Sequence, residues 1–388
     1  MIGAETINPK PQGSGDARPQ LYLGYETALL FWRAVHEGRL PFPQPIDART
    51  VGPRAVVGFR ALRDIDLGPL GVVLTPVGVL AQYDERVIDW GSGKEGEVRR
   101  GLVPVGIATP PGVPTPLHVL TSGAKRYGAH DCLEVHLAAG TLPAGSFCRV
   151  SDSIVVASPE LTFLQTCHKA RDLPNIELAS ELCGTYALHP ISLPCRFDVT
   201  PVLTRESLVR YVSAAGHRWG VQAARRTLPW VLDGFASPRE TELYLLLVLD
   251  ADSGGYGLPL PAVNEADDMS GLPPGLTRYV ADLTWKVGKR VVVVEYDGYE
   301  EHERSARKVA QDKERRSEMA ARGEAVIVVT KRDMESEQAF AKKVAQIKRA
   351  LRIDENDAGN ELSDVRKALF RWLTNPHHDH LPFGYGYH

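Results

Sequence analysis

The sequence has few cysteines and no long apolar run. Its five cysteines fall between residues 132 and 195, widely spaced and without a C-x-x-C pair, which argues against a disulfide framework and a cysteine-based zinc site. No apolar stretch approaches the roughly 18 residues of a membrane-spanning helix, and the first twenty residues lack the apolar core of a signal peptide. We therefore expect a cytoplasmic protein with free thiols and no membrane partner.

The composition is that of an ordinary globular protein. The chain has 388 residues, of which 43% are hydrophobic and 24% charged, and this length predicts two or three domains. The formal net charge of −3 hides an uneven distribution. Residues 302–352 carry fourteen Lys and Arg against eight Asp and Glu, a local net charge of +6.

Local patterns divide the chain into five segments. The first half has short β-type runs and a helix over Glu26–His36, whereas helical spacing returns after residue 206. The expected order is a mobile leader (1–20), a β-rich N-terminal region (21–205), connecting helices (206–234, including one over 219–234), a second domain (235–353) and a C-terminal helix and tail (354–388).

The second domain alternates helices and strands, which predicts an α/β fold there and an α+β fold overall. Its long charged helix ends at Gly323, a residue type typical of helix C-termini. The expected elements are a helix over 237–251, strands over 277–285 and 289–297, a charged helix over 304–322, a strand over 325–330 and a helix over 335–353.

The stretch VVVVEYDGYEEH (291–302) places acids at the end of the most apolar strand. If Gly288 and Lys289 form a two-residue hairpin turn, glycine at the first position favours type II′. Paired positions then sum to 577, so that Asp282 lies opposite Glu295. Asp297 projects from the same face two residues later.

Two facing carboxylates repel each other by about 4 kcal/mol at ~4 Å and an effective dielectric constant near 20. A hard divalent cation such as Mg²⁺ or Mn²⁺ would relieve this repulsion, because such ions take oxygen ligands from carboxylates and substrate phosphate. Asp282, Glu295 and Asp297 are therefore the predicted metal ligands. The alternative is a solvated strand end whose acids pair with Lys289 or Arg290.

Further candidates surround these acids in the sequence. Glu240 lies in the first turn of the preceding helix and could reach the site, but with Ser237 it also forms a capping-box pattern. His302 follows a turn permitted by Gly298 and could carry a proton. Alone, it would more often be a surface histidine.

The basic segment supplies the candidate nucleic-acid contacts, because a polyanion needs positive charge beside an acidic metal site. Its alternative interpretation is a solvated helix face with internal ion pairs. The candidate residues are Asp312, Arg315, Arg316, Lys342 and Lys343.

The motifs S-P-x-E, A-D-L-x-W, V-E-Y-D-G-x-x-x-H and D-x-x-R-R, in this order over about 235–353, resemble bacterial domains related to very-short-patch-repair endonucleases, in the restriction-endonuclease-like superfamily. The resemblance implies a mixed central sheet flanked by helices and a divalent-metal site at a strand hairpin. The residues that match its functional positions are Glu240, Asp282, Glu295, His302 and Asp312 with Arg315 or Arg316. Asp297 stands where many members carry lysine; a carboxylate cannot supply positive charge there, but could bind metal or act as a base.

The first half, at about 117–165, resembles N-terminal regions of abortive-infection type IV antitoxin regulators. ELCGTYAL (181–188) is also family-like, without a chemical reason in the sequence. The leading hypothesis is a metal-dependent DNA endonuclease related to very-short-patch DNA repair enzymes. The alternatives are a DNA-binding regulator or antitoxin-like protein with an inactive nuclease fold, and a nuclease subunit that needs a protein partner or forms a homodimer.

The C-terminal tail HHDHLPFGYGYH (377–388) also places histidines close together. Clustered histidines can bind metal, but the more typical interpretation of such an end is a flexible terminus or a packing arm.

Overall fold

The computed structural model shows the predicted α+β fold, with helices packed on mixed sheets. The chain forms two compact units, one of Met1–Leu29 with Phe42–Thr162 and the other of Leu30–Pro41 with Phe163–His388. The boundary expected at residue 205 falls inside the second unit. The structure describes residues 20–52, 55, 65–66, 70, 107–109, 113–115, 117–123, 133–167, 172–188, 195–266, 280–298, 317, 319–353 and 364–374.

The first unit is rich in β-strands, as expected. Its six-stranded sheet has the spatial order β2-β7-β8-β1-β5-β6, in which β1 pairs with β8 and β5 with β6 in parallel and the other neighbours are antiparallel. The elements are β1 (Leu21–Leu23), α1 (Tyr25–His36, which continues into the second unit), β2 (Gln44–Ile46), a separate pair β3 (Ile107–Thr109) and β4 (Val113–Thr115), β5 (Leu117–Thr121), β6 (Leu133–Leu137), β7 (Phe147–Arg149), β8 (Ile154–Ala157) and α2 (Pro159–Thr166).

Sequence explains the local choices in this unit. All four residues of β8 are buried, which fits a short apolar run in the interior of a sheet. The Ser158 hydroxyl accepts a hydrogen bond from the Leu161 amide at 3.3 Å and so caps α2, as predicted.

The second unit contains the remaining elements. They are α3 (Asp172–Cys183), β9 (Tyr186–Ala187), β10 (Arg196–Phe197), α4 (Arg205–Ala214), α5 (Val221–Thr227), a 3₁₀ turn (Leu228–Trp230), α6 (Pro238–Val248), β11 (Ala262–Ala266), β12 (Val280–Val287), β13 (Arg290–Asp297), β14 (Ala325–Thr330), α7 (Lys331–Met334), α8 (Glu337–Leu351) and α9 (Asp364–Leu373).

A four-stranded mixed sheet organises this unit, in the order β11-β12-β13-β14. The first three strands are antiparallel neighbours, and β14 runs parallel to β13. One face packs against α6, in which every residue from Leu243 to Val248 is buried, and against an apolar stripe of α8. That stripe consists of Phe340, Val344, Ile347 and Leu351, the four predicted residues.

The structure corrects one predicted helix end and confirms another. The helix expected over 219–234 is wrong beyond Thr227, because Pro229 has no amide hydrogen to continue the helical bonds; a 3₁₀ turn follows, and Val231 is extended. Of the charged helix over 304–322, the structure describes Ser317 and residues 319–322, and its predicted end at Gly323 is confirmed. Gly323 has φ +81°, and the Glu324 amide donates to the Met319 carbonyl at 3.0 Å, as in a Schellman motif.

Four of the five cysteines lie in the described residues, and all four are free thiols, as expected; three of them, Cys148, Cys167 and Cys183, are buried. Within the same residues, no helix combines the length and apolar character that crossing a membrane requires.

Candidate functional site

The β12–β13 hairpin has the predicted turn and register. Val287 pairs with Arg290 around Gly288 and Lys289, and Gly288 has φ +61° whereas Lys289 does not have a positive φ, as in a type II′ turn. The pairing continues to Leu283 opposite Val294. The five pairs from Val287–Arg290 to Leu283–Val294 all sum to 577, as predicted.

Asp282 lies one residue beyond the last of these pairs. Its Oδ2 atom accepts a hydrogen bond from the Tyr296 backbone amide at 2.6 Å. That amide nitrogen belongs to the peptide bond joining Glu295 to Tyr296. The carboxylate of Asp282 therefore lies against the backbone that carries Glu295.

On the side of β13 away from β12, Glu295 and Asp297 both pair with residues of β14. They pair in parallel register with Val328 and Thr330 of β14, and both are half-buried, as is Asp282. Among the described residues, Asp282, Glu295 and Asp297 are not a group in which one carboxylate oxygen from each lies within 4.8 Å of the other two. Their joint role as metal ligands stays a prediction.

Glu240 is held at the start of α6 by three hydrogen bonds. Its Oε2 atom accepts from the Ala236 amide and from the Asn264 side chain, both at 2.9 Å, and Oε1 accepts from the Ser237 hydroxyl at 2.9 Å. Ser237 in turn accepts from the Glu240 amide. Glu240 is buried and Ser237 is the N-cap residue. The predicted capping box forms only in part, because the Glu240 carboxylate accepts from the Ala236 amide and the Ser237 hydroxyl.

The basic candidates are only partly within the described residues. Lys342 is exposed on α8. The neighbouring Lys343 turns toward the sheet, where its Nζ donates to the Val328 carbonyl at 2.7 Å and lies 3.5 Å from Asp333 Oδ2. His302, Asp312, Arg315 and Arg316 lie outside the described residues.

The site also contains a tyrosine and an arginine that the sequence analysis missed. Burial raises the pKa of the Tyr296 phenol, and the charge of Arg239 partly opposes this shift. Arg239 Nη1 donates to Glu242 Oε2 at 2.6 Å. Both residues lie inside the quoted motifs, next to Glu240 and Glu295, which was the signal available for finding them.

A second cluster in the first unit was not predicted. His118, Glu134 and His136 bring one ligand atom each to within 4.8 Å of one another. The signal in the sequence was weak: a lone histidine in LHVLT and an E-x-H pair in LEVHL, whose proximity depends on the pairing of β5 with β6.

Comparison with known proteins adds no relative: no family model, no curated protein and no solved structure matches this chain. The functional conclusions therefore depend on the two sites themselves.

Proposed function

We propose that this protein is a divalent-metal-dependent DNA endonuclease whose primary metal ligands are Asp282 and Glu295. The main support for this proposal is the hydrogen bond from the Tyr296 amide to Asp282 Oδ2 at 2.6 Å. This bond fixes the Asp282 carboxylate beside the residue that carries the second acid. The hairpin register, which continues toward these two positions, supports the same proposal.

The donor set fits a hard cation. Mg²⁺ usually takes one or two protein carboxylates and completes its octahedron with water and substrate phosphate, so two half-buried acids are sufficient. A bound cation of this kind activates water and stabilises charge on a phosphodiester. The hydrogen bond from the Tyr296 amide orients the Asp282 carboxylate.

Asp297 and Arg239 are the proposed supporting groups. Asp297 follows Glu295 on the same strand face and can accept a proton from the attacking water, the role that a carboxylate can fill where lysine is absent. Arg239 contributes positive charge near Tyr296. Glu240 orients the end of α6 through its capping bonds.

The basic flank supports a polyanionic substrate. The apolar stripe of α8 packs against the sheet, and α8 and its neighbouring residues also carry exposed cations. The exposed members are Lys331, Arg332, Lys342, Arg349 and Arg352. Lys343 holds the edge of β14 and contributes to phosphate binding only if it leaves Val328.

The test compares Asp282→Asn and Glu295→Gln with Glu265→Gln. Glu265 is an exposed acid on the neighbouring β11, paired with Lys286, so its variant changes charge in the same sheet but outside the site. Supercoiled plasmid and linear and mismatched duplexes are incubated with Mg²⁺ or Mn²⁺, and metal binding is followed by calorimetry.

We expect the wild type and Glu265→Gln to bind metal and to cleave DNA. In Asp282→Asn and Glu295→Gln, metal affinity and cleavage activity should each fall by more than the roughly 10–100-fold that is typical when a residue behind a metal ligand is removed. The proposal is contradicted if all four proteins cleave DNA equally, or if Asp282→Asn and Glu295→Gln bind metal as tightly as the wild type.

The second candidate is a DNA-binding regulator with an inactive nuclease fold. It is favoured by the capping role of Glu240, whose two carboxylate oxygens are both engaged by protein donors. Tight, sequence-selective DNA binding in EDTA, without cleavage in any metal, would establish this alternative instead.

A further inference from the structure

The first unit contains a compact group of imidazoles and carboxylates that the proposed nuclease does not use. In the parallel pair β5–β6, His118 pairs with Glu134 and Leu120 with His136. Side chains two residues apart on a strand share a face. His118, Glu134 and His136 therefore project from one side of the sheet.

The first turn of α1 adds Glu26 to this group. The His118 amide donates to the Thr27 hydroxyl at 2.9 Å, and the Gly24 amide donates to the His118 carbonyl at 3.1 Å. These bonds fix the start of α1 against β5. Glu26 Oε2 consequently lies 3.1 Å from His118 Nδ1.

The candidate ligand atoms of these side chains lie close to one another. His118 Nδ1 is 2.8 Å from His136 Nε2. The two oxygens of Glu134 lie 3.8 Å from His118 Nδ1 and from His136 Nε2, respectively. Glu26 Oε2 is buried, and apart from its contact with His118 Nδ1 at 3.1 Å it makes no hydrogen bond to any residue that the structure describes. Such an oxygen is costly unless it has a partner.

From this geometry we infer that His118, His136, Glu134 and Glu26 form a binding site for a first-row transition-metal ion, with Zn²⁺ as the best-matched probe. Two imidazoles and a carboxylate are a common zinc ligand set, and imidazole selects such ions over Mg²⁺. Two ionised carboxylates would also balance the charge of a divalent ion.

The site can adjust to the ion. Bonds of about 2.1 Å at tetrahedral angles separate two ligand atoms by about 3.4 Å, so the two imidazoles must move apart by about half an ångström. His136 and Glu134 lie on β6, an edge strand of the sheet. Glu134 is also half-exposed, which leaves a path for the ion to enter and freedom for the carboxylate to approach it.

Tyr25 orients the imidazoles. Its ring stacks on that of His136 with the centroids 3.7 Å apart, and its backbone is in the left-handed region at φ +49°. This conformation is unfavourable for a non-glycine residue, and such strain is found preferentially at functional sites.

The competing arrangement is a proton shared between His118 and His136 without any metal, and a zinc titration distinguishes the two. All proteins in this experiment are made in a parent variant with His377→Gln, His378→Gln and His380→Gln. These substitutions remove the cluster of histidines in the C-terminal tail as a competing zinc site. Calorimetry with Zn²⁺ and absorption spectroscopy with Co²⁺ are then compared for the parent, His136→Gln, Glu26→Gln and a control, His217→Gln, which changes an exposed histidine.

We expect one ion per chain for the parent and the control, with visible Co²⁺ bands typical of nitrogen and oxygen ligands and a raised melting temperature in Zn²⁺. His136→Gln should weaken zinc binding at least about 100-fold; Glu26→Gln should weaken it less and keep the fold, as checked by circular dichroism. A parent that binds no ion, or binding that both ligand variants retain in full, overturns the inference.

Discussion

Asp282 and Tyr296 are joined by a hydrogen bond of 2.6 Å from the amide of Tyr296 to Oδ2 of Asp282. This side chain thus has a structural role that can be separated from metal binding. Asp282→Ala leaves a partly buried amide without this acceptor and should lower the free energy of unfolding by about 1–3 kcal/mol. Asp282→Asn keeps an acceptor oxygen and should cost less.

Urea unfolding of both variants measures this difference, and calorimetry with Mg²⁺ or Mn²⁺ measures the other role. Both variants should lose metal binding, since an amide oxygen carries no charge to hold the cation. Equal stability of Asp282→Ala and the wild type would show that the Tyr296 amide does not depend on this carboxylate.

Substitution of Glu240 shows whether this residue stabilises the start of α6 or takes part in catalysis. Its carboxylate accepts from Ala236, Ser237 and Asn264, and hydrogen bonds to a charged group contribute about 1.5–3 kcal/mol. We expect Glu240→Ala to lower the free energy of unfolding by at least about 1.5 kcal/mol, with unchanged metal affinity at the hairpin. The measurement is urea unfolding with parallel metal calorimetry. A variant of normal stability that has lost cleavage would instead assign Glu240 to the chemistry.

The hairpin was predictable because its determinants are local. A glycine at the turn and alternation along two apolar strands were enough to predict the pairing from Val287–Arg290 to Leu283–Val294. The α8 stripe was predictable for the same reason, since helical spacing alone defines it. Neither inference needed knowledge of distant chain segments.

The His118 cluster was not predictable because it depends on long-range pairing. Nothing in the sequence specifies that β5 pairs with β6 in parallel, in a register that brings His118 and His136 together, or that the start of α1 adds Glu26. Similarly, ELCGTYAL had no chemical reason until the structure placed Glu181 against Arg33 and packed Gly184 so tightly that an added Cβ would lie 2.8 Å from the Ser180 carbonyl oxygen.

Arg33 and Glu181 form a bidentate pair, with Nε–Oε1 at 2.9 Å and Nη2–Oε2 at 2.6 Å, and both side chains are buried. Removal of one partner leaves a buried charge, so Arg33→Met should cost about 3–5 kcal/mol. The double variant with Glu181→Gln should recover much of this loss, because glutamine is neutral and still accepts from the Leu188 amide.

A double-mutant cycle by urea unfolding measures the coupling between the two side chains. The matched control is Arg226 with Asp172, an equally close pair whose side chains are 47% and 40% exposed. Its coupling should be at most about 1 kcal/mol. If the two cycles give the same coupling energy, burial does not determine the strength of the Arg33–Glu181 pair.

His36 should make the stability of the protein depend on pH. Burial lowers its pKa below the usual 6.5, although Glu181 and Glu37 oppose the shift; Arg33 adds to it. Nε2 lies 3.1 Å from the Gly184 carbonyl and donates to it in the neutral ring. The proton would then be added at Nδ1, which is buried and makes no hydrogen bond to the described residues.

The unfolded chain therefore binds this proton more readily than the folded one. The contribution of His36 to stability is fully present above pH 6.5 and is lost as the pH falls from there through the folded-state pKa, with a slope of up to about 1.4 kcal/mol per pH unit. His36→Gln can keep the bond to Gly184 without titrating, so its free energy of unfolding should fall less steeply between pH 7.5 and 5.5. His217→Gln, at an exposed position, should follow the wild type. Because other groups titrate alike in all three proteins, identical slopes for the wild type and His36→Gln would mean that protonation of this imidazole does not oppose folding.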